Sequence, residues 1–137
     1  MQTLHGMFKT TGNESPQHQK AKKRLHQILE ESPYFIVSDY EISLGTTKTA
    51  LGQRDYTADL FGFWYNPRKG THRKIAFEVR GFKGHNSKRN AARDQLRDCA
   101  LAEKGIETVR LEMLDLVGKK KLGDILILNE ILYQLNI

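Results

Sequence analysis

Two acidic residues stand in stretches that otherwise predict buried β-strands. Residues 74–81, KIAFEVRG, alternate in such a way that Glu78 and Arg80 share one face of the strand. Asp59 stands in a second stretch of this kind, YTADLFGFWY (56–65). A buried carboxylate costs free energy unless it is paired or bound to a metal. A structural ion pair and a functional site are therefore the two interpretations of these positions.

The two acids would form a site for a hard cation if their strands are neighbours. Asp59 and Glu78 would then converge at one end of the sheet, with Arg80 and the backbone carbonyl of Val79 beside them. Mg²⁺ (or Mn²⁺) binds one or two carboxylates, keeps several waters and leaves positions for phosphate oxygens. Such an ion can activate water and stabilise the leaving oxygen in phosphodiester hydrolysis. The spacing therefore indicates metal-dependent cleavage of phosphodiesters.

The composition favours a polyanionic partner. The 137 residues include 22 Lys and Arg against 16 Asp and Glu, a net charge of +6, and the pI is about 9.5. Such a balance indicates nucleic acid before membrane. The chain contains no apolar run of the roughly 18 residues that a membrane span needs, and its start lacks a signal-peptide pattern. We therefore expect an intracellular, cytoplasmic protein with no membrane partner.

The surrounding elements predict an α/β fold. Residues 1–13 are expected to form a flexible arm and 14–137 a single domain, whose first helix is capped by Ser15, begins at Pro16 and ends near Ser32. A strand meander followed by a helical crossover to another strand predicts a mixed central sheet flanked by helices. The elements expected after the first helix are a strand (34–44), a loop (45–55), a strand (56–65), a basic turn (66–74), the strand of Glu78, a helix (87–104), a strand (107–113) and a C-terminal helix (122–135).

The order of these motifs resembles the PD-(D/E)XK nuclease superfamily. Asp59 stands where that superfamily has its first acid, and Glu78, Val79 and Arg80 stand where it has Glu-x-Lys. The resemblance implies a restriction-endonuclease-like αβββαβ core and a Mg²⁺-dependent endodeoxyribonuclease. Arg80 departs from the pattern, because arginine stays protonated and can hold a phosphate but cannot exchange a proton as lysine can.

Three further segments carry the resemblance. The segment ESPQHQKAK, with Glu14, His18 and Lys22, looks like the pattern that opens CoiA-type nuclease domains. The segments FEVRGFKGH and RDQLRDCALAEKGIETVRLE resemble very-short-patch-repair-like endonuclease domains. The resemblance covers residues 14–112 and rests on the order of short motifs.

The resemblance also implies roles for individual residues. Asp59, Glu78 and the Val79 carbonyl would bind the metal. Glu14 would bind or order a second metal, or act only on the helix dipole. The catalytic cation would be Arg80, Lys83 from the following loop, or Lys22, which four-residue spacing places with His18 on the inward face of the first helix.

A cationic stripe indicates where phosphates could bind. Arg89, Arg93 and Arg97 recur at four-residue steps on the helix after the third strand, and surface ion pairs are the alternative interpretation. Residues assigned to nucleic-acid contact are Arg89, Arg93, Arg97, Lys88, Arg73 and Lys74. Gln95 is expected to face inward near the metal, and His85 is a candidate contact to the leaving phosphate.

Two classes of function follow from this pattern. The first is an endonuclease of a phage, plasmid, virus or repair pathway that acts on double-stranded or branched DNA, including a Holliday-junction resolvase that acts as a homodimer on four-way junctions. The second is a nucleic-acid-binding module that keeps the nuclease fold and has lost the chemistry with the lysine.

Overall fold

A four-stranded mixed sheet forms the centre of the protein. The computed structural model describes residues 15–38, 42–49, 52–81 and 88–137. The elements are α1 (Pro16–Glu31), β1 (Phe35–Val37), β2 (Ile42–Thr49), β3 (Gly52–Ala58), β4 (Leu60–Asn66), β5 (Thr71–Arg80), α2 (Lys88–Glu103), β6 (Ile106–Glu112), α3 (Met113–Val117) and α4 (Asp124–Gln134). The prediction of an α/β fold with a mixed sheet and helices is confirmed.

The strand order in the sheet is β1-β4-β5-β6. Strand β4 runs antiparallel to both β1 and β5, whereas β6 runs parallel to β5. A parallel neighbour requires a crossover connection, and α2 lies in that connection between β5 and β6. The C-terminal ends of β5 and β6 therefore lie at the same edge of the sheet.

Two predictions for residues 34–65 were wrong. The segment 45–55 was expected to be a loop, but its described part belongs to the antiparallel hairpin β2–β3, which forms a separate two-stranded sheet. The strand predicted over 56–65 is broken at Asp59, where the chain bends from β3 of the hairpin into β4 of the central sheet. The threonines in the segment 45–55 are β-branched residues, which favour an extended conformation.

Helix α1 begins as its sequence predicts. Ser15 has an extended backbone, its hydroxyl accepts a hydrogen bond from the His18 backbone N–H at 3.1 Å, and Pro16 is the first helical residue. Ala21, Leu25 and Leu29 are fully buried along one side of the helix. This apolar stripe holds α1 against the sheet.

The two faces of β5 differ in character. Ile75, Phe77 and Val79 belong to the main core, together with buried residues of α1, α3 and α4. The opposite face carries Ala76 in a small cluster with Leu101 of α2, and further along it carries charged residues. The main core therefore lies on the α1 side of the sheet, and the α2 side combines a smaller apolar cluster with charged residues.

Arg24 ties α1 to the segment between α3 and α4. Its guanidinium donates hydrogen bonds to the carbonyl oxygens of Asp115 at 3.3 Å, Leu116 at 2.8 Å and Leu122 at 2.6 Å. It also pairs with the Asp124 carboxylate at 2.8 Å. One side chain thus satisfies the carbonyl oxygens that end α3 and the acid that begins α4.

We expect Arg24→Met to lower the free energy of unfolding by about 2 kcal/mol, because several carbonyl acceptors lose a charged donor while the apolar stem is kept. Urea denaturation followed by circular dichroism would measure the loss. Arg93→Met, at an exposed position of α2, is the matched control and should change stability by less than about 0.5 kcal/mol. Equal effects of the two changes would contradict a fixing role for Arg24.

Helix α4 is partly apolar on its outer side. Ile125 and Tyr133 are 73% and 78% exposed, and Leu126 is 54% exposed. In the described part of the chain, no helix combines the length and apolar character that a membrane span requires.

Candidate active site

Helix α1 and the bend at Asp59 both reach the C-terminal end of β5. The Val79 N–H donates to the Asp59 carboxylate at 2.8 Å, and the Val79 carbonyl accepts from His18 Nε2 at 2.8 Å. His18 Nε2 also lies 3.6 Å from Asp59 Oδ2. The last pair of β4 with β5 is Leu60 with Phe77, so Val79 lies beyond the end of β4 and these side chains bond its backbone instead.

On the face of β5 that points to α2, Glu78 pairs with a buried arginine. Arg97 of α2 forms an ion pair with the Glu78 carboxylate, and the two side chains are 11% and 27% exposed. The Arg97 guanidinium also donates to the Thr57 carbonyl at 2.5 Å and lies over the Tyr56 ring, 5.6 Å from its centroid. Arg97 therefore connects Glu78 to both α2 and the β2–β3 hairpin.

The pKa of the Glu78 carboxyl is raised above its ordinary value. Burial is the largest cause, and the negative charges of Asp59 and Asp94 raise the pKa further, against the opposing effect of Arg97 and Arg110. A carboxylate in such a place is stabilised by any additional positive charge that approaches it. Asp59 and Glu78 are thus electrostatically coupled, as expected for acids at one end of the sheet.

Arg80 shares a face with Glu78 but has other partners. Its guanidinium pairs with Asp94 of α2 at 2.9 Å and lies 3.8 Å from the Glu112 carboxylate at the end of β6. Glu78 and Arg80 therefore do not pair with each other, and the structural ion pair considered for Glu78 forms with Arg97 instead. An arginine has five N–H donors, so Arg80 can keep Asp94 and still contact a phosphate.

The sequence interpretation missed part of this charged layer. Arg110 in the middle of β6 forms a two-pronged pair with Asp98 of α2 at 2.7 and 2.8 Å, and lies 3.6 Å from Asp94. The signal was present in the strand ETVRLE, where a charged residue interrupts apolar positions as Glu78 does in β5. Facing charges on α2 and the sheet neutralise one another across this layer.

Helix α1 brings two predicted residues to the inner side. His18 contacts the Val79 carbonyl, and its side chain is 20% exposed. Lys22 is only 3% exposed. The prediction that both residues face inward is confirmed.

Three of the predicted site residues, Glu14, Lys83 and His85, lie outside the described residues, as does residue 87, where α2 was expected to begin. The side chains of Lys88 and Arg89 are outside the description as well.

The predicted cationic stripe on α2 does not form as expected. Arg93 is exposed, but Arg97 is 9% exposed and points to Glu78, so its assignment to a DNA-facing surface is corrected. Gln95 was expected to face inward and is exposed. The buried side of α2 carries Arg97 beside Ala100 and Leu101, so the helix is rotated relative to the prediction and brings Arg97 to Glu78.

The two basic residues of β5 differ in their surroundings. Lys74 is exposed. Arg73 donates two hydrogen bonds to Glu107 at 2.5 and 2.7 Å and a third to the Leu135 carbonyl at 2.6 Å. A DNA contact by Arg73 would therefore compete with its pair to Glu107.

The donor groups at the end of β5 have the chemistry that a hard cation prefers. Asp59 and Glu78 supply carboxylate oxygens, and the Val79 carbonyl has a second lone pair besides the one that accepts from His18. Mg²⁺ requires only one or two carboxylates. Among the residues that the structure describes, no group of three or more His, Cys, Asp or Glu is arranged to hold a metal, and Glu14, the third predicted acid, is not among them.

Comparison of the chain with protein-family models, with curated proteins and with solved structures gives no match. The function must therefore be argued from the residues and geometry of this chain.

Proposed function

We propose that the protein is a Mg²⁺-dependent DNA endonuclease with a restriction-endonuclease-like core. The observation that carries the proposal is the meeting of Asp59 and Glu78 at one end of β5, where the Asp59 carboxylate lies 2.8 Å from the Val79 N–H and its charge raises the pKa of Glu78. The antiparallel β1-β4-β5 arrangement, followed by the α2 crossover to β6, supports the same proposal.

In this proposal Asp59 and Glu78 hold the metal with the Val79 carbonyl. When bound, Mg²⁺ supplies an activated water and stabilises charge on the leaving oxygen. Because the Asp59 carboxylate accepts from the Val79 N–H, the strand end fixes its orientation. His18 Nε2 lies 3.6 Å from the same carboxylate and donates a hydrogen bond to the Val79 carbonyl.

A positive charge must also hold the scissile phosphate. Arg80 lies on the Glu78 face and is oriented by Asp94, whereas Lys22 lies on the buried side of α1. Arg80 is the better placed of the two, because its side chain is more than a quarter exposed and its charge does not titrate. Lys22 and Lys83 remain the other candidates for this role.

The partner in this proposal is double-stranded or branched DNA in the cytoplasm. The net charge of +6 favours a polyanion. A homodimer, as in a Holliday-junction resolvase, would cover apolar residues such as Ile125 and Tyr133 on the outer side of α4.

One observation favours a second function. Arg97 already supplies Glu78 with a positive charge, as a metal would, and this pair is compatible with a nucleic-acid-binding module that has no catalytic activity. Incubation of supercoiled plasmid with the protein and either Mg²⁺ or Mn²⁺ separates the two functions. Nicked or linear product that disappears with EDTA supports the nuclease, whereas retardation without cutting in both metals supports the binding module.

A further inference from the structure

Five exposed lysines lie on two segments that are distant in the sequence. Lys20 and Lys23 are exposed on α1, and Lys119, Lys120 and Lys121 are exposed between α3 and α4. These five residues are called the lysine patch below. The sequence alone gives no reason to join them, because about 100 residues separate the two segments.

The hydrogen bonds of Arg24 show that the two segments are neighbours. Arg24 lies one helical turn after Lys20, so these two side chains are neighbours on the surface of α1, and Lys23 lies three residues after Lys20 on its other flank. Its guanidinium reaches the Leu116 carbonyl before the lysine segment and the Leu122 carbonyl directly after it. The three lysines between these anchors are therefore held beside the lysines of α1.

The lysine patch lies on the helix that also reaches the candidate active site. His18 contacts the Val79 carbonyl, and at a rise of about 1.5 Å per residue Lys20 and Lys23 follow His18 by roughly 3 and 8 Å along the axis of α1. The exposed turn 67–70 lies at the other end of β5, about 30 Å away for a strand of this length. The patch is therefore much nearer to the candidate site than the turn 67–70 is.

We propose that the lysine patch binds the phosphate backbone of DNA beside the phosphate at the candidate active site. This inference rests on the proposed nucleic-acid function and adds the path of the duplex. Lysine ammonium groups on an exposed surface contact phosphates as point charges and read no base sequence. The binding is therefore independent of sequence and sensitive to salt.

The test compares two double variants that remove equal charge from exposed turns. Lys119→Gln/Lys120→Gln changes the patch, and Arg68→Gln/Lys69→Gln changes the distant turn. The affinity for a fluorescently labelled duplex is measured by anisotropy in EDTA at several salt concentrations. At about 0.1 M salt we expect the patch variant to bind about 10-fold more weakly and the control less than about 3-fold, with the salt slope reduced by roughly 0.9 for each phosphate that the variant no longer neutralises.

A second variant addresses the other half of the patch. Lys20→Gln/Lys23→Gln should weaken binding to unrelated duplexes by a similar factor, and all of these variants should melt within about 2 °C of the wild type, because the changed side chains are exposed. Equal loss in the control variant, or no loss in either patch variant, would overturn the proposal. Patch-dependent binding to vesicles of phosphatidylcholine and phosphatidylserine, with unchanged DNA binding, would assign the patch to a membrane surface instead.

The assay also separates failure of this inference from failure of the proposed function. Binding in EDTA requires no cleavage, so an inactive protein still tests the patch. If the wild-type protein shows no affinity for the labelled duplex, both proposals are overturned. A protein that cuts plasmid and keeps its affinity in both patch variants would overturn only the path of the duplex.

Discussion

Glu78→Gln is expected to abolish plasmid cleavage, with a loss on the order of 10³-fold in the single-turnover rate, while DNA affinity in EDTA changes by less than about 3-fold. The amide keeps the shape of the side chain but is a poor ligand for a divalent cation. The rates would be measured at saturating Mg²⁺ with excess protein. Asp59→Asn should give a comparable loss, and its amide oxygen can still accept the Val79 N–H.

The chain offers a matched control for this prediction. Glu107 also stands in a strand and also pairs with an arginine, Arg73, but it lies near the start of β6 rather than at the sheet end that carries the candidate site. Glu107→Gln should therefore cut at the wild-type rate. A Glu78→Gln variant that cuts equally fast would show that the metal-site assignment is wrong.

Local patterns in the sequence predicted the elements that position the candidate site. The cap of α1 at Ser15, the apolar alternation of β5 and the predicted end of α2 at residue 104, directly before Gly105 with its positive φ of 77°, all depend on residues close together in the chain. Antiparallel pairing of β5, the strand of Glu78, with β4, which begins directly after Asp59, then follows from the meander. The meeting of these acids at one end of the sheet was predictable for that reason.

The charged layer between α2 and the sheet was not predictable in the same way. A helix is usually oriented from its apolar side. Here Arg97 and Asp98 turn inward because Glu78 and Arg110 face them from β5 and β6. Such pairing depends on strand order and register, which a single sequence does not specify.

The hairpin β2–β3 is a further feature that the sequence pattern concealed. Its glycines are typical of loops, and the break at Asp59 lies inside an apolar stretch that predicts a single strand. The bend matters for the site, because it turns the Asp59 carboxylate to the Val79 N–H and leaves the Thr57 carbonyl for Arg97.

The second large effect is expected on stability. Arg97→Met should lower the free energy of unfolding at neutral pH by about 3 kcal/mol, because it leaves a mostly buried Glu78 carboxylate without its partner. Urea denaturation would measure the loss. The double variant Arg97→Met/Glu78→Gln should recover a large part of it, since it removes the uncompensated charge as well.

The loss of stability in Arg97→Met should depend on pH. The pKa of Glu78 is raised in the folded protein, chiefly by burial, and removal of Arg97 takes away the largest effect that lowers it. The folded state then holds the Glu78 proton more tightly than the unfolded state, so stability falls as the pH rises from the ordinary carboxyl value through the raised pKa. At about pH 4 the free energy of unfolding should be lower than that of the wild type by only about 1 kcal/mol, because the variant still lacks the hydrogen bond from Arg97 to the Thr57 carbonyl. If the loss of stability did not depend on pH, the effect of Arg97→Met would come from lost packing alone.

Magnesium distinguishes the two proposed functions through the same variant. If Glu78 binds Mg²⁺, the ion competes with Arg97 in the wild type and replaces it in Arg97→Met, so millimolar Mg²⁺ should raise the melting temperature of the variant by about 3 °C more than that of the wild type. The double variant Arg97→Met/Glu78→Gln lacks the carboxylate and should show no such gain. Equal shifts in all three proteins would mean that Glu78 serves Arg97 alone, and the non-catalytic binding module would then be the better account of this fold.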